Sequence, residues 1–271
     1  MVATIKIADD VRKVIKISIT IGKILMLPAG LDRKLYVATN KVLEAMGGKW
    51  NKKENGHVFD KDASEVRKFV IGEEALVDKK KTFQVFETPD EIADIVATTF
   101  MNKLWELSLP KLILEPSAGT GQLLAAIERW CNVAKVKAPV AHVVEIQKEL
   151  LDKLGERPIQ MQVWTSIGDF LEMVPRDLSN SKFDGVIMNP PFTRGLDMAH
   201  VMHAMQFLKP RGVLTAVMSP AWENNQTSKA KAFRQWLKGF ADVDVEVLPE
   251  GAFKASGTNV KTLLVTIQKG D

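Results

Sequence analysis

The stretch Leu112-Ile113-Leu114-Glu115-Pro116-Ser117-Ala118-Gly119-Thr120-Gly121 constrains this chain more than any other. An apolar run of strand type ends in an acid, passes through a turn of small residues, and opens into Gln122-Leu123-Leu124-Ala125-Ala126-Ile127, whose spacing predicts a helix. The glycines let the backbone take positive φ and let a ligand approach where a Cβ would collide. The first turn of the new helix offers unpaired N–H groups. Strand, glycine turn and helix together predict a site for a small polar ligand, although the pattern alone also fits an ordinary connection in an α/β sheet.

A second stretch narrows the choice. Phe183-Asp184-Gly185-Val186-Ile187-Met188-Asn189-Pro190-Pro191-Phe192 is another apolar strand, delivering an amide, two prolines and an aromatic at its carboxyl end. Open α/β sheets bind ligands at that edge. With Phe86-Glu87-Thr88-Pro89 ahead of the glycine turn, the chain from Phe83 to Lys269 resembles the amino-methyltransferases that use S-adenosyl-L-methionine, specifically the DNA adenine-N6 group. The motifs F-x-T-P, E-P-x-A-G-x-G and N-P-P-F, in that order, carry the resemblance. It implies an α/β, Rossmann-like class I methyltransferase fold, with a seven-stranded, mostly parallel sheet and helices on both faces.

The resemblance also assigns roles. Glu115 matches the acid near the cofactor's charged amino group, with Pro116, Ser117, Ala118, Gly119 and Gly121 forming the turn around the ligand. Glu145 ends the next predicted strand, where a Rossmann-like site places an acid for ribose hydroxyls; its other reading is a surface acid. Ile146 follows it at the cofactor. Asp169 and Phe170 match an acid that accepts from the cofactor's adenine amine and an aromatic that packs on the ring. Phe86, Thr88 and Pro89 match the segment covering the methionine end. A phosphate loop would want a lysine in the turn, and Glu115 would repel phosphate, so a dehydrogenase using a pyridine dinucleotide fits less well.

Asn189, Pro190, Pro191 and Phe192 would hold the target amine, with Asn189 also bordering the cofactor. The amine of adenine is conjugated with its ring and is a poor nucleophile. The Asn189 amide oxygen and the Pro190 carbonyl can each accept one N–H, favouring a pyramidal nitrogen aimed at the sulfonium methyl, and the prolines fix the carbonyl's direction. No metal, covalent nucleophile or strong base is required. Phe192 can stack on the base, which must be extruded if the substrate is a duplex. Phe253 aligns with a family aromatic on the base's other side; packing on the core is its competing reading. His200 and His203 lack a third convergent ligand for a metal.

The 271 residues suffice for one α/β core and a small extra domain. Residues 1–80 form the predicted small basic α+β domain and 81–271 the methyltransferase domain. The first 85 residues hold 17 Lys and Arg against 11 Asp and Glu, a net of +6, so with +4 overall the remainder sums to −2. This asymmetry suggests a polyanion partner, DNA or RNA; the plain reading is a solvated lysine face. Apolar runs of spanning length and a signal-peptide layout are absent, and a lone cysteine, Cys131, fits a reducing cytoplasmic setting.

Within the small domain, Ile15, Ile17, Ile19 and Ile21 alternate with polar residues as in a half-buried strand. Asp32 can cap a helix ended by Gly47-Gly48. Trp50 to Phe59 predicts a short hairpin turning at Asn55-Gly56, flanked by Lys49, Lys52, Lys53 and His57, where a basic ribbon could follow phosphates. Trp50 is read first as a buried anchor and second as a base-stacking platform. A helix is expected from Ala63 to Ile71 and a linker from Val77 to Lys81. Beyond, predicted strands at Val140–Glu145, Gln160–Ser166, Gly185–Met188, Val213–Met218, Val243–Leu248 and Val260–Ile267 alternate with helices at Asp90–Met101, Lys148–Leu154 and Asp197–Leu208. The last two strands are joined by too short a loop for a crossover and should pair antiparallel.

Related DNA enzymes carry a recognition domain after the catalytic one, whereas this chain stops soon after its last strand. Sequence recognition is then expected from the basic N-terminal unit, from a protein partner, or hardly at all, a compact layout resembling phage or mobile-element enzymes. Within the enzymes the alternatives are an RNA adenine or protein glutamine methyltransferase, since N-P-P-[FY] specifies only a planar amine. Outside them stands a non-catalytic binding module that keeps the fold.

Overall fold

The computed structural model describes residues 4–72, 75–77, 87–107, 110–179, 181–253 and 261–271. The chain divides into two compact units, Met1–Val85 and Phe86–Asp271.

In the small unit the order is β1 (Thr4–Lys6), α1 (Asp9–Ile17), β2 (Ile19–Ile21), β3 (Ile24–Met26), α2 (Arg33–Ala45), β4 (Lys49–Asn51), β5 (Gly56–Val58), α3 (Ala63–Gly72) and β6 (Ala75–Val77). Four strands form an antiparallel sheet in the order β2-β3-β5-β4, and β1 pairs with β6. Asp32 caps α2 by accepting the Lys34 and Leu35 N–H groups at 2.9 and 3.0 Å. Gly47, at φ +89°, ends it. The core is Ile7, Val11, Ile15, Leu25, Val42, Leu43, Phe59, Ala63, Val66 and Val70.

Three expectations fail here. The strand expected over Ile15–Ile21 is helix as far as Ile17, because Val11, Val14 and Ile15 at helical spacing behind Asp9 and Asp10 outweigh the alternation. Ile15 is buried, while Ile17, Ile19 and Ile21 are exposed. Trp50 is no anchor: it is 46% exposed, and Phe59 fills the core instead. Val77, expected at the start of a linker, belongs to β6, and the remainder of that segment, 78–81, lies outside the described residues.

The larger unit runs α4 (Asp90–Leu107), β7 (Leu112–Glu115), α5 (Gln122–Ala134), β8 (Val140–Glu145), α6 (Lys148–Gly155), β9 (Val163–Ile167), α7 (Pro175–Leu178), β10 (Phe183–Met188), α8 (Leu196–Ala204), β11 (Leu208–Met218), α9 (Ala221–Asn224), α10 (Ser228–Leu237), β12 (Asp242–Val247) and β13 (Leu263–Gln268). Seven strands lie in the order β12-β13-β11-β10-β7-β8-β9. All pairings are parallel except those of β13, which is antiparallel to both neighbours. This is the Rossmann-like class I methyltransferase fold.

Two-residue periodicity splits the sheet into two cores. Ile113, Val143, Ile187, Val217 and Leu264 join Phe100 of α4 and Ile127 of α5 on one face; Leu114, Val144, Met188, Ala216 and Val265 join Val201 of α8 and Phe233 of α10 on the other. Gly185 permits one close approach. A Cβ there would lie 2.6 Å from the Phe100 ring, so the glycine lets α4 seat against β10. Lys209-Pro210-Arg211-Gly212, just past the helix expected over Asp197–Leu208, lies inside β11 as an irregularity, with register shifting between Phe183 and Gly185 and Arg211 at φ +58°.

Candidate active site

From β7 the chain steps outward through β8 and β9, then returns to the other side of β7 as β10. Such a reversal opens a crevice at the carboxyl ends of the two central strands. Gly185 and Val186 of β10 pair with Ile113 and Leu114 of β7, which brings the glycine turn and the Asn-Pro-Pro-Phe segment to neighbouring strand tips.

Backbone geometry fixes the glycine turn. Gly119 sits at φ +55° and Gly121 at φ +82°, both in the left-handed region that side chains resist. The Ala118 N–H donates to the Val144 carbonyl at 3.1 Å, tying the turn to the adjacent strand. Glu145 adds a second tie: its Oε2 accepts the Gly119 N–H at 2.9 Å and its Oε1 accepts the Gln147 N–H at 3.0 Å. Ser117 Oγ donates to the Pro116 carbonyl. Glu145 therefore shapes the turn.

Glu115 is 1% exposed, and its Oε2 has no hydrogen-bond partner among the described residues. Burial raises its pKa well above the usual 4.5; the nearby Glu145 charge adds to the rise and Arg157 opposes it. A buried carboxyl with an unused oxygen beside a second acid favours its neutral form.

At the other tip, Asn189 Nδ2 donates to Thr88 Oγ1 at 2.9 Å, with Thr88 buried just ahead of α4. This bond crosses 101 positions of sequence and fixes the amide plane. Asn189 Oδ1 carries no donor among the described residues, and the Thr88 hydroxyl keeps its own proton to donate elsewhere. Pro190 is buried, and Pro191 and Phe192 are half-buried, with Phe192 packed against the α4 side of the core. Arg194 at φ +56° and Gly195 at φ +75° then turn the chain into α8. Asp197, fully buried, anchors that turn: its Oδ2 accepts the Ser219 N–H at 3.1 Å and the Ser219 Oγ–H at 2.7 Å. Burial raises the Asp197 pKa, opposed by those two bonds.

Asp169 caps the short helical turn Phe170–Glu172 by accepting the Leu171 N–H at 2.9 Å through Oδ1, leaving Oδ2 without a partner among the described residues. Ile146 is 43% exposed beside Glu145, and Pro89 is half-buried. Phe170 and Phe253 are both core residues. Phe170 is 2% exposed, with His203 and Phe207 each 4.9 Å from its ring, so its faces are taken inside the core. Phe253 is 1% exposed and belongs to the core on the α4 side, so of its two readings core packing holds. His200 and His203 engage the Leu196 and Met173 carbonyls. Lys49, Lys52 and Lys53 are exposed on the small unit's hairpin. Phe86 lies outside the described residues. Sequence reading missed Asp197 and Gln147, whose Nε2 is buried without a partner among the described residues. Their signal was position alone, a polar residue just past each motif.

No protein-family model matches the chain, and no curated protein matches its sequence. Solved structures do match its fold. A putative class I S-adenosylmethionine-dependent methyltransferase from Listeria monocytogenes superposes with a TM-score of 0.57 at 17% identity, covering 88% of this chain and 81% of that one. The methyltransferase subunit of a type I restriction-modification system from Streptococcus thermophilus gives 0.56 at 18% identity, over 77% of this chain but 49% of its own. An O-methyltransferase of tomaymycin synthesis from Streptomyces achromogenes, solved with S-adenosylmethionine, gives 0.50 at 13% identity over 68% and 82%.

Proposed function

We propose that this protein transfers a methyl group from S-adenosylmethionine to the exocyclic N6 amine of adenine in DNA, taking the base extruded from the helix. The observation that carries the reading is the Asn189 amide, pinned through Nδ2 to Thr88 so that Oδ1 is left to accept from a planar amine. A strand tip with a fixed acceptor followed by two prolines is what gripping such an amine by its hydrogens requires.

The residues fit the cofactor. A cationic amino group beside Glu115 would favour its ionised form, and its unpartnered oxygen is the acceptor. The Glu145 oxygens, each holding one backbone N–H, have further lone pairs for ribose hydroxyls. Asp169 Oδ2 can accept from an adenine amine, with Ile146 against the ring. Gly119 and Gly121 let the backbone approach, and Thr88 and Pro89 border the methionine end. Bound there, the cofactor supplies an electrophilic methyl on a sulfonium.

Asn189 Oδ1 and the Pro190 carbonyl draw the target's N–H groups toward them, turning the lone pair out of conjugation and toward the donor. Phe192 supports the base. Positioning of this kind lowers a barrier by roughly 7–11 kcal/mol in favourable cases. The restriction-modification subunit among the structural neighbours supports DNA as substrate, and the net +6 of the small unit, with Lys49, Lys52 and Lys53 exposed, supports a phosphate-holding role for it. Incubation with labelled cofactor and DNA, RNA or protein extract tests the reading. Label is expected in DNA, on N6-methyladenine; label confined to protein or to RNA overturns it.

A further inference from the structure

Trp50 occupies the middle of β4, an outer strand of the small unit's four-stranded sheet, with 46% of its surface in water. The unit does not need it for cohesion, since Ile15, Leu25, Leu43, Phe59 and Val66 are each 3% exposed or less. Nor is the ring loose. Its partner directly across the hairpin is His57, with ring centroids 5.3 Å apart and planes at 67°. His57 is fully buried, and its Nε2 meets Asn40 Oδ1 at 2.5 Å. Burial lowers the His57 pKa, with Glu44 opposing, so the imidazole bracing the indole is neutral near pH 7. One side of Trp50 is thus held by a buried ring while the rest stays open.

The surroundings are cationic. Lys49 precedes Trp50 on the strand, and Lys52 and Lys53 follow in the turn, all exposed, with no acid from Lys49 through Lys53. Asn51 sets the turn's path by accepting the Lys53 N–H at 2.9 Å through Oδ1. A protein partner seated on Trp50 would have to neutralise or solvate these lysines, whereas a nucleic acid strand matches both features, phosphates against lysines and a base face against the indole. Bases inside a duplex are already stacked, so the open ring favours a strand whose bases are unpaired.

We propose that the β4–β5 hairpin is a contact for single-stranded DNA, in which Trp50 stacks on one unpaired base while Lys49, Lys52 and Lys53 hold the neighbouring phosphates. The inference rests on the DNA reading of the substrate. The hairpin would hold a stretch of unpaired strand, adding affinity without touching the chemistry.

The test is fluorescence anisotropy of the full chain with dye-labelled oligothymidylate, which offers no adenine to the catalytic site. Trp50→Ala is expected to weaken binding roughly tenfold with an unchanged salt slope, and Trp50→Phe to retain most of the affinity. Replacing Lys49, Lys52 and Lys53 together by alanine should reduce the log–log salt slope by about 2. Circular dichroism of the exposed-site variants should match the parent. Equal binding by Trp50→Ala, an equal loss on fully paired duplex, or tighter binding of oligouridylate than of oligothymidylate overturns the proposal. Loss of oligothymidylate binding in a protein that methylates no DNA would sustain the hairpin contact and sink the methylation reading; methylation of DNA with Trp50→Ala binding unimpaired would do the reverse.

Discussion

In the larger unit two aromatics that the family resemblance places at a ligand turn inward; in the small unit the tryptophan read first as a core anchor turns outward. Phe170 and Phe253 are 2% and 1% exposed, Trp50 46%. The difference follows from how each core is filled. A seven-stranded sheet with helices on both faces has deep layers that large rings fill, and Phe100, Phe183, Phe207, Phe233 and Phe253 do so. Among the described residues the small unit closes its core with aliphatic side chains and Phe59 as the one aromatic. An aromatic beyond what the core requires is the one to examine for binding.

Mutations can break or sharpen this comparison. Phe59→Ala should cost about 3–5 kcal/mol, seen as loss of the small unit's transition in calorimetry while the larger unit melts as before. Gly185→Ala should destabilise the larger unit by about 1–3 kcal/mol, because the added methyl meets the Phe100 ring; a paired Phe100→Leu change should recover part of it. Glu115→Gln should act through pH. The folded-state pKa of Glu115 is raised, so its protonated form contributes stability that is complete below the usual 4.5 and is lost as pH rises through the folded value. The variant should therefore exceed the parent's Tm at about pH 8, match it near pH 4, and bind the cofactor more weakly. The smallest effect belongs to Trp50→Ala, within about 0.5 kcal/mol of the parent in denaturant titration. Equal costs for Phe59→Ala and Trp50→Ala would erase the distinction between the two units.

What the sequence made legible was local. The strand ending at Glu115, the helix opening at Gln122, the strand over Val140–Glu145 and the antiparallel final pair each follow from spacing, glycine and loop length within a few residues. Less legible were cases in which two local signals compete. Ile15 and Ile17 satisfy strand alternation, yet they finish a helix whose acidic start lies six residues earlier. Pro210 and Gly212 look like a stop, yet β11 absorbs them as a bulge. The helix over Ser228–Leu237 escaped despite the Thr227 cap and buried Ala230, Phe233 and Leu237 at helical spacing. Within the candidate site, the two motifs named their residues, but the bond from Asn189 to Thr88 and the anchor from Asp197 to Ser219 join segments distant in sequence and follow only from the packed fold.

The most direct test of the account is single-turnover methyl transfer to adenine-containing DNA by Asn189→Ala, with cofactor affinity measured by calorimetry on the same preparation. Loss of transfer by at least about a hundredfold with cofactor affinity nearly unchanged is the predicted result, as expected when a group acting mainly on the target amine is removed. Turnover comparable to the parent's would contradict it.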